Sequence, residues 1–187
     1  MKIEQVKKLS PFNRLAYWIT ERESIRLKKE AGEKWPWTDD EILRQFRFTC
    51  VRRMDDKVSR WLLNLWYKPF KDHPNMLRAV ALARFINLPS TLGPITATVF
   101  GPKWNPLGLM RELREIKKEG KPIFNAAYMV RGNDGVDKIE SVVKHNVANL
   151  KGVEIDPSSM ENTWSQIKDC YGFGSFMAGQ VVADLRW

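Results

Sequence analysis

The sequence predicts an all-α protein. Three observations carry that expectation. Apolar residues recur at helical spacing in most long segments, capping residues stand where those segments begin, and alternation of period two is hard to find. Ser10-Pro11 supplies an N-cap followed by proline at the first helical position. Behind it Phe12, Leu15, Trp18 and Ile19 repeat at helical spacing. The pattern runs on through Ile25, and Gly32 with the Trp35-Pro36-Trp37 cluster ends it. Thr38-Asp39-Asp40-Glu41 reads as a capping box opening the next helix. Val58, Trp61, Leu62 and Leu65 form an i, i+3, i+4, i+7 stripe, which Lys68-Pro69 stops. Asn75 to Ile86 reads as a buried helix. Residues 88–105, with Pro89, Pro94 and Pro102, read as a broken, loop-rich connection. Asn105-Pro106 starts a helix through Glu119. Ile123 to Val130 stays open between a short strand and a buried helix end. Gly132-Asn133-Asp134-Gly135 is a turn, and Val136 to Leu150 is helical. Ser158-Ser159-Met160-Glu161 is a second capping box, opening a helix through Cys170. With no internal repeat, low-complexity tract or long linker, residues 1–187 are expected to form a single domain.

A chain of 187 residues, 43% hydrophobic and 28% charged, can bury one core or two small ones. That composition excludes a disordered chain, a collagen and a disulfide scaffold. Two cysteines, Cys50 and Cys170, fit a reducing compartment. No apolar run reaches the roughly 18 residues of a membrane span, and the N-terminus lacks the apolar stretch of a signal peptide. An intracellular, soluble protein without a membrane partner is expected. The net charge is +9, and it is lopsided: residues 1–100 carry 19 basic and 11 acidic residues, residues 101–187 carry 12 and 11. Such an excess points either to a polyanionic partner or to a solvated basic surface. Of the eight tryptophans, most should fill core, and one or two could stack on an unpaired base.

Several chemistries are absent. There is no Gly-x-x-x-x-Gly-Lys-Ser/Thr loop and no Gly-x-Ser-x-Gly elbow. The two cysteines and two histidines, His73 and His145, lack zinc or iron–sulfur spacing, so no metal site is read from them.

Four stretches can carry function. Gly172-Phe173-Gly174-Ser175 lies between two helices. Glycines in so tight a turn let backbone N–H groups face outward, where a helix N-terminus binds phosphate without reading sequence. The turn looks like a helix-hairpin-helix, and an ordinary glycine-linked αα-turn is the alternative. Arg47 to Trp61 is the densest charged segment, with Arg52/Asp56 and Asp56/Arg60 at i, i+4. It is either a salt-bridged solvent face or, given Phe48, Val51 and Trp61 around it, a half-buried site. Trp18 to Lys29 sets Arg22 and Arg26 on one face, with Glu23 close by. A guanidinium pair can clamp phosphate or pyrophosphate by bidentate bonds, and an exposed amphipathic face is the alternative. Phe124-Asn125-Ala126-Ala127-Tyr128 places an amide and a phenol in an apolar setting, to read a base edge or to serve a buried structural role.

Taken in order, Phe12 to Lys29, Trp37-Thr38-Asp39-Asp40, Arg47 to Trp61, Phe124 to Arg131 and Gly172 to Leu185 resemble the α-glutamyl/putrescinyl-thymine pyrophosphorylase family of bacteriophages. That family includes amino acid:DNA transferases and the helical domain attached to 5-hydroxymethyluracil DNA kinases. Glu21-Arg22-Glu23-Ser24-Ile25-Arg26 and Arg52-Arg53-x-Asp55-Asp56 are the specific parts, and the resemblance spans most of residues 10–187. It implies a DNA-glycosylase-like helical fold ending in a helix-hairpin-helix-like turn. It also implies action in an infected bacterial host's cytoplasm, on double-stranded phage DNA whose 5-hydroxymethyluracil has been pyrophosphorylated by a DNA kinase. An amino acid or polyamine then replaces the pyrophosphate.

Under that resemblance Arg22, Arg26, Arg52 and Arg53 are expected to hold the pyrophosphate. Glu21, Glu23, Asp55 and Asp56 are candidates to deprotonate the amine, bind its ammonium, or hold a divalent metal such as magnesium on the pyrophosphate. Base flipping would present the nucleotide, with Trp37 stacking on it and Asn125 and Tyr128 reading it. Gly172, Gly174 and Ser175 would contact the DNA backbone. A non-catalytic module that recognises modified DNA or assists the kinase is the second reading. Base excision is the third, disfavoured because Asp184 stands too near the glycines to be the glycosylase Asp and Phe176 stands near the place of its lysine. The glycosylase fold continues past its hairpin, so a truncated or short version is expected here.

Overall fold

The computed structural model describes residues 3–46, 48, 50–126, 132 and 135–185. Among them every regular element is helical, as the periodicity predicts. Two compact units divide the chain, Met1–Asp56 and Lys57–Trp187.

The first unit contains α1 (Ile3–Lys7), α2 (Pro11–Glu30) and α3 (Glu41–Gln45), then a 3-10 turn over Arg53–Asp55. Ser10 caps α2, its Oγ accepting from the Asn13 N–H at 3.2 Å, with Pro11 in the first turn. Gly32, at φ +75°, turns the chain so that the Glu33 N–H reaches back to the Lys28 carbonyl at 3.0 Å. No residue of α2 is buried, and Phe12 and Leu15 stand open to solvent. The buried residues of this unit, among those described, are polar: Thr38 and Asp40. Thr38 Oγ1 donates to Glu21 Oε1 at 2.5 Å, and Tyr17 donates its hydroxyl to Asp40 Oδ2 at 3.0 Å. Burial, then the Asp40 carboxylate beside it, pushes the Tyr17 phenol well above its ordinary range. The cap of α3 lies two residues later than the capping box predicts. Asp40, not Thr38, accepts from the Ile42 and Leu43 N–H groups, at 2.9 and 3.1 Å. Thr38 instead accepts from the Asp40 N–H.

The second unit holds the apolar core. Its first helix, α4 (Lys57–Leu62), runs into a π-helical turn over Leu63–Tyr67 and then α5 (Lys68–Phe70). The wider turn rotates the stripe. Val58, Leu62 and Trp66 are buried while Leu65 is 53% exposed. Pro69 does not stop the helix but sits in the first turn of α5. Trp66 donates its indole N–H to Thr96 Oγ1 at 2.8 Å and meets Trp61 and Phe100 edge-on, and Phe100 stacks on Phe70 at 4.1 Å.

Central to this core is α6 (Met76–Ile86), closed by Asn87 at φ +50°. Ten of its eleven residues are buried, Arg78 being the exception. Residues 88–105 are less loop-like than the prolines suggest, forming α7 (Pro89–Leu92) and α8 (Thr96–Val99). Asn105 caps α9 (Pro106–Lys118), accepting from the Gly108 N–H at 2.9 Å. Ile123 is buried without strand or helix around it. Residues 127–131, and the turn residues Asn133 and Asp134, lie outside the described residues. The segment 138–150 is helical as expected but mixed: α10 (Lys138–Glu140), a π-turn over Ser141–Asn146 and a 3-10 turn over Val147–Leu150.

The last two helices, α11 (Met160–Lys168) and α12 (Ser175–Leu185), pack as a hairpin, and α12 also packs on α6. Ser159 caps α11 through the Asn162 N–H at 3.2 Å, one residue later than the capping box predicts. The chain leading into α11 is gathered by Asp156. Its carboxylate accepts from the Ser158 hydroxyl and N–H, the Ser159 N–H and the Asn162 side chain, and those hydrogen bonds, the Ser158 hydroxyl first, lower its pKa to about 2. A carboxylate with a depressed folded pKa contributes stability above its unfolded value, lost as pH falls through the folded one. Amide exchange at the start of α11 should therefore quicken between about pH 4 and pH 2, and Asp156→Asn should remove that acid dependence. An unchanged acid profile in the variant would exclude Asp156 as the titrating group.

Candidate functional site

The sequence-predicted charged residues lie in the first unit, and four of them form one network. Glu23 accepts from Arg26 through both carboxylate oxygens, at 3.0 Å from Nε and 2.6 Å from Nη2. Arg52, distant in sequence, reaches the same carboxylate at 2.7 Å. Arg26 also pairs with Glu30 at 2.7 Å and with Asp55 at 3.6 Å. The i, i+3 spacing of Glu23 and Arg26 on α2 produces the first contact, and the extended backbone at Arg52 before the 3-10 turn brings in the second. Hydrogen bonding from Arg26 holds the Glu23 carboxyl below its ordinary range, and Glu23 in turn raises the Arg26 guanidinium. Arg52 is the more accessible cation, at 63% exposure against 25% for Arg26.

The other candidates divide. Arg22 does not join Arg26 in a clamp. Its guanidinium lies between the rings of Trp18 and Phe48, 5.3 and 5.2 Å from their centroids, and donates to the Phe48 carbonyl at 3.2 Å. Glu21 turns to Thr38, on the side of Tyr17 and Asp40. Arg53 opens the 3-10 turn that Asp55 ends, and Asp56 follows it, its N–H donating to the Arg53 carbonyl at 3.1 Å. Arg52 and Asp56 both have extended backbone, so they are not helical i, i+4 neighbours, and Asp56 precedes the helix that carries Arg60.

Trp37 is half-buried. Its indole donates to the Glu33 carbonyl at 2.7 Å, and the Lys29 ammonium stands 4.5 Å from its ring centre. Trp35, which the sequence does not distinguish from the other tryptophans, is the open ring beside it, at 62% exposure. Asn125 belongs to the second unit. Its backbone N–H donates to the Ile86 carbonyl and its side chain to the Asn87 carbonyl at 3.1 Å, which closes the end of α6. Tyr128 lies outside the described residues.

In the α11–α12 turn Gly172 has φ +82°. It lies against the side chain of Asn146, which is buried and whose Oδ1 has no hydrogen-bond partner among the described residues. The Gly174 carbonyl accepts from the Ala178 N–H at 3.0 Å as the first bond of α12, and nothing lies within 4 Å of where a Gly174 Cβ would be. The Ser175 carbonyl accepts from the Trp164 indole at 3.1 Å, tying α11 to α12. The turn thus presents an open helix N-terminus, the geometry that favours anions.

Among the described residues no three His, Cys, Asp or Glu side chains gather as a metal site. Magnesium on a pyrophosphate needs only one or two carboxylates, with substrate oxygens supplying the rest. Glu23 and Asp55 do not fit such an ion as they stand: Arg26 takes both Glu23 oxygens, Arg52 reaches the same carboxylate, and Arg26 faces Asp55 at 3.6 Å, so the chain's own guanidinium groups balance both carboxylates. Among the described residues no helix is long and apolar enough to cross a membrane.

The family described as "5-hmdU DNA kinase, helical domain" matches residues 10–187. The chain belongs to that family. It is also 24% identical over 191 residues to a "5-hmdU DNA kinase" of Bacillus phage SP10, an alignment covering 89% of this chain and 30% of the phage protein. The chain therefore spans about a third of the length of that relative. No solved structure matches. The 5-hmdU DNA kinase helical domain is the part of the sequence resemblance that these matches support.

Proposed function

We propose that this helical domain acts in thymine hypermodification of phage DNA, transferring an amine onto pyrophosphorylated 5-hydroxymethyluracil. The observation that carries the reading is the Glu23–Arg26–Arg52–Asp55 network, set in a chain matched to the helical-domain family over residues 10–187. In the transfer the amine nitrogen bonds to the 5-methylene carbon, the carbon–oxygen bond to pyrophosphate breaks, and the nitrogen gives up a proton. Arg52 is the residue assigned to the leaving group. It is exposed and, among the described residues, pairs with Glu23, so phosphoryl oxygens can replace that carboxylate on its guanidinium. Arg26 stays anchored by Glu23 and Glu30 and fixes the first of them in place.

Glu23 is a poor base, because a carboxyl held below its ordinary range binds a proton weakly. Asp55, at 3.6 Å from Arg26, is the carboxylate assigned to the incoming ammonium and its proton. Glu21 is assigned a structural role with Thr38. The base would be stacked by Trp35 or Trp37. The DNA backbone would be met at Gly172, Gly174 and Ser175, and a DNA kinase would supply the pyrophosphorylated substrate.

The test is mass analysis of nucleosides from duplex DNA carrying pyrophosphorylated 5-hydroxymethyluracil, incubated with the protein, amino acids and polyamines. A nucleoside heavier by one amine adduct is expected, and Arg52→Ala should slow its formation about 100-fold or more. Full transfer by the variant would sink the leaving-group assignment. The open N-terminus of α12 favours a second reading, a non-catalytic module that holds modified DNA. Unchanged nucleoside with DNA bound in the same tube would select it.

A further inference from the structure

The helical run that opens the second unit is basic on its outer face and carries no acid there. Residues 57–71 hold four cations, Lys57, Arg60, Lys68 and Lys71, and no carboxylate, while Asp56 and Asp72 lie just outside. Lys57, Arg60, Asn64, Lys68 and Lys71 follow one another at steps of three or four residues, which sets them along one face of a helix. The backbone is helical throughout. α4 passes through the π-turn into α5, and Lys71 still has φ −53° and ψ −35°. All five residues of the stripe are exposed, while Val58, Leu62 and Trp66 are buried on the other side. Among the described residues none of the four cations has an ion pair, and Lys68 donates to Asn64 Oδ1 at 3.0 Å, within the stripe itself. Other exposed faces of this unit mix the signs: Arg114 pairs with Asp137 and Glu140, Lys118 with Glu115, and Lys144 with Glu140.

Like charges along one helix face repel one another, so the fold itself gains nothing from this stripe. The inner side of the helix is fixed. Trp66 donates to Thr96 Oγ1 at 2.8 Å, and Ser59 Oγ accepts from Arg84 at 2.7 Å. The cations therefore stand on a rigid rod, and docking requires no ordering of backbone. At about 1.5 Å per residue the stripe runs for about 20 Å. Duplex DNA carries one phosphate per about 3.4 Å of axis on each strand, so several phosphates lie within its reach. An anionic membrane is a poorer match, because an interfacial helix must turn its apolar face into the bilayer. Here that face is spent on the core, and Leu65 is the large apolar residue left exposed on the helix. We infer that the outer face of residues 57–71 is a docking surface for the phosphate backbone of duplex DNA, built from residues other than those of the Glu23 network and the α11–α12 turn. The inference rests on DNA being the partner, as in the proposed function, and does not require amine transfer.

The full chain would be titrated with unmodified duplex DNA across a salt series. Lys57→Gln/Arg60→Gln/Lys68→Gln/Lys71→Gln should weaken binding about 100-fold or more at low salt and reduce the salt slope by about three to four. Lys117→Gln/Lys118→Gln/Lys121→Gln/Lys144→Gln removes the same charge from other exposed positions of the second unit. It should lose only a few-fold and keep its slope within about one of the unaltered protein. Arg60→Gln alone should reduce the slope by about one, and it serves if the first variant fails to fold. Equal losses in the two fourfold variants would show that net charge alone matters and would overturn the surface. So would an unchanged slope in the folded stripe variant, or no DNA binding by the unaltered protein. Vesicles of phosphatidylserine and phosphatidylcholine should not bind the chain. Vesicle binding lost in the stripe variant, with the DNA slope unchanged, would overturn DNA as the occupant and put a membrane in its place. Because the DNA carries no 5-hydroxymethyluracil and no amine is present, failure here is distinct from failure of the transferase reading.

Discussion

Asp184→Ala should remove about 3–5 kcal/mol of stability, a large share of the roughly 5–15 kcal/mol that holds a domain together. Asp184 is wholly buried near the end of α12, and it pairs with Arg84 of α6, 1% exposed. Arg84 also donates to Ser59 Oγ of α4 at 2.7 Å and lies 3.4 Å from Asn87 Oδ1. One buried ion pair therefore joins α12 to α6, and the same guanidinium reaches α4. Deleting the carboxylate leaves a guanidinium in an apolar core, with its desolvation uncompensated. Urea unfolding followed by circular dichroism would read the loss. The double variant Arg84→Met/Asp184→Leu should be less destabilised than either single change, because it removes both charges and fills their volume. A double variant as weak as the sum of its singles would show that geometry, not unpaired charge, is what α12 loses.

This pair also shows what the sequence could and could not disclose. The closeness of Asp184 to the glycines sets it apart from a glycosylase aspartate, but its partner lies 100 residues away, and nothing local announces it. Helices are legible because caps and periodicity are local: Ser10, Asn105 and the glycine at 32 act as their residue types require. The capping boxes at 38 and 158 slip because Asp40 and Ser159 compete for N–H groups a residue or two later. The π-turns at 63–67 and 141–146 leave no pattern in single-sequence periodicity, which is why Leu65 reads as core and lies outside it.

The charged site follows the same division. Glu23 with Arg26 is an i, i+3 pair on a helix, whereas Arg52 arrives through tertiary structure. Arg22 and Arg26 share a helix face by spacing, yet the aromatic pair Trp18 and Phe48 draws Arg22 away.

Gly172→Ala should weaken the second unit and, if the proposed DNA contact lies at this turn, lower DNA affinity as well, and Gly174→Ala should separate the two effects. At φ +82° an alanine costs about 1–2 kcal/mol for left-handed backbone. Its Cβ would also stand within 2.6 Å of the carboxamide of Asn146. That residue is 3% exposed, so its amide cannot swing into solvent to make room. The loss in urea unfolding should therefore exceed the backbone cost alone, and Asn146→Ala/Gly172→Ala should recover the packing part but not the φ part. Gly174 has neither problem: its φ is not left-handed and no atom lies within 4 Å of a Cβ built there. Gly174→Ala should leave the unfolding curve in place. If a DNA phosphate sits on the N-terminus of α12, the added methyl stands between the two and DNA affinity should fall several-fold, with a smaller salt slope. Undiminished affinity in Gly174→Ala would make the turn a structural link between α11 and α12, and would move DNA contact elsewhere on the second unit or to the first.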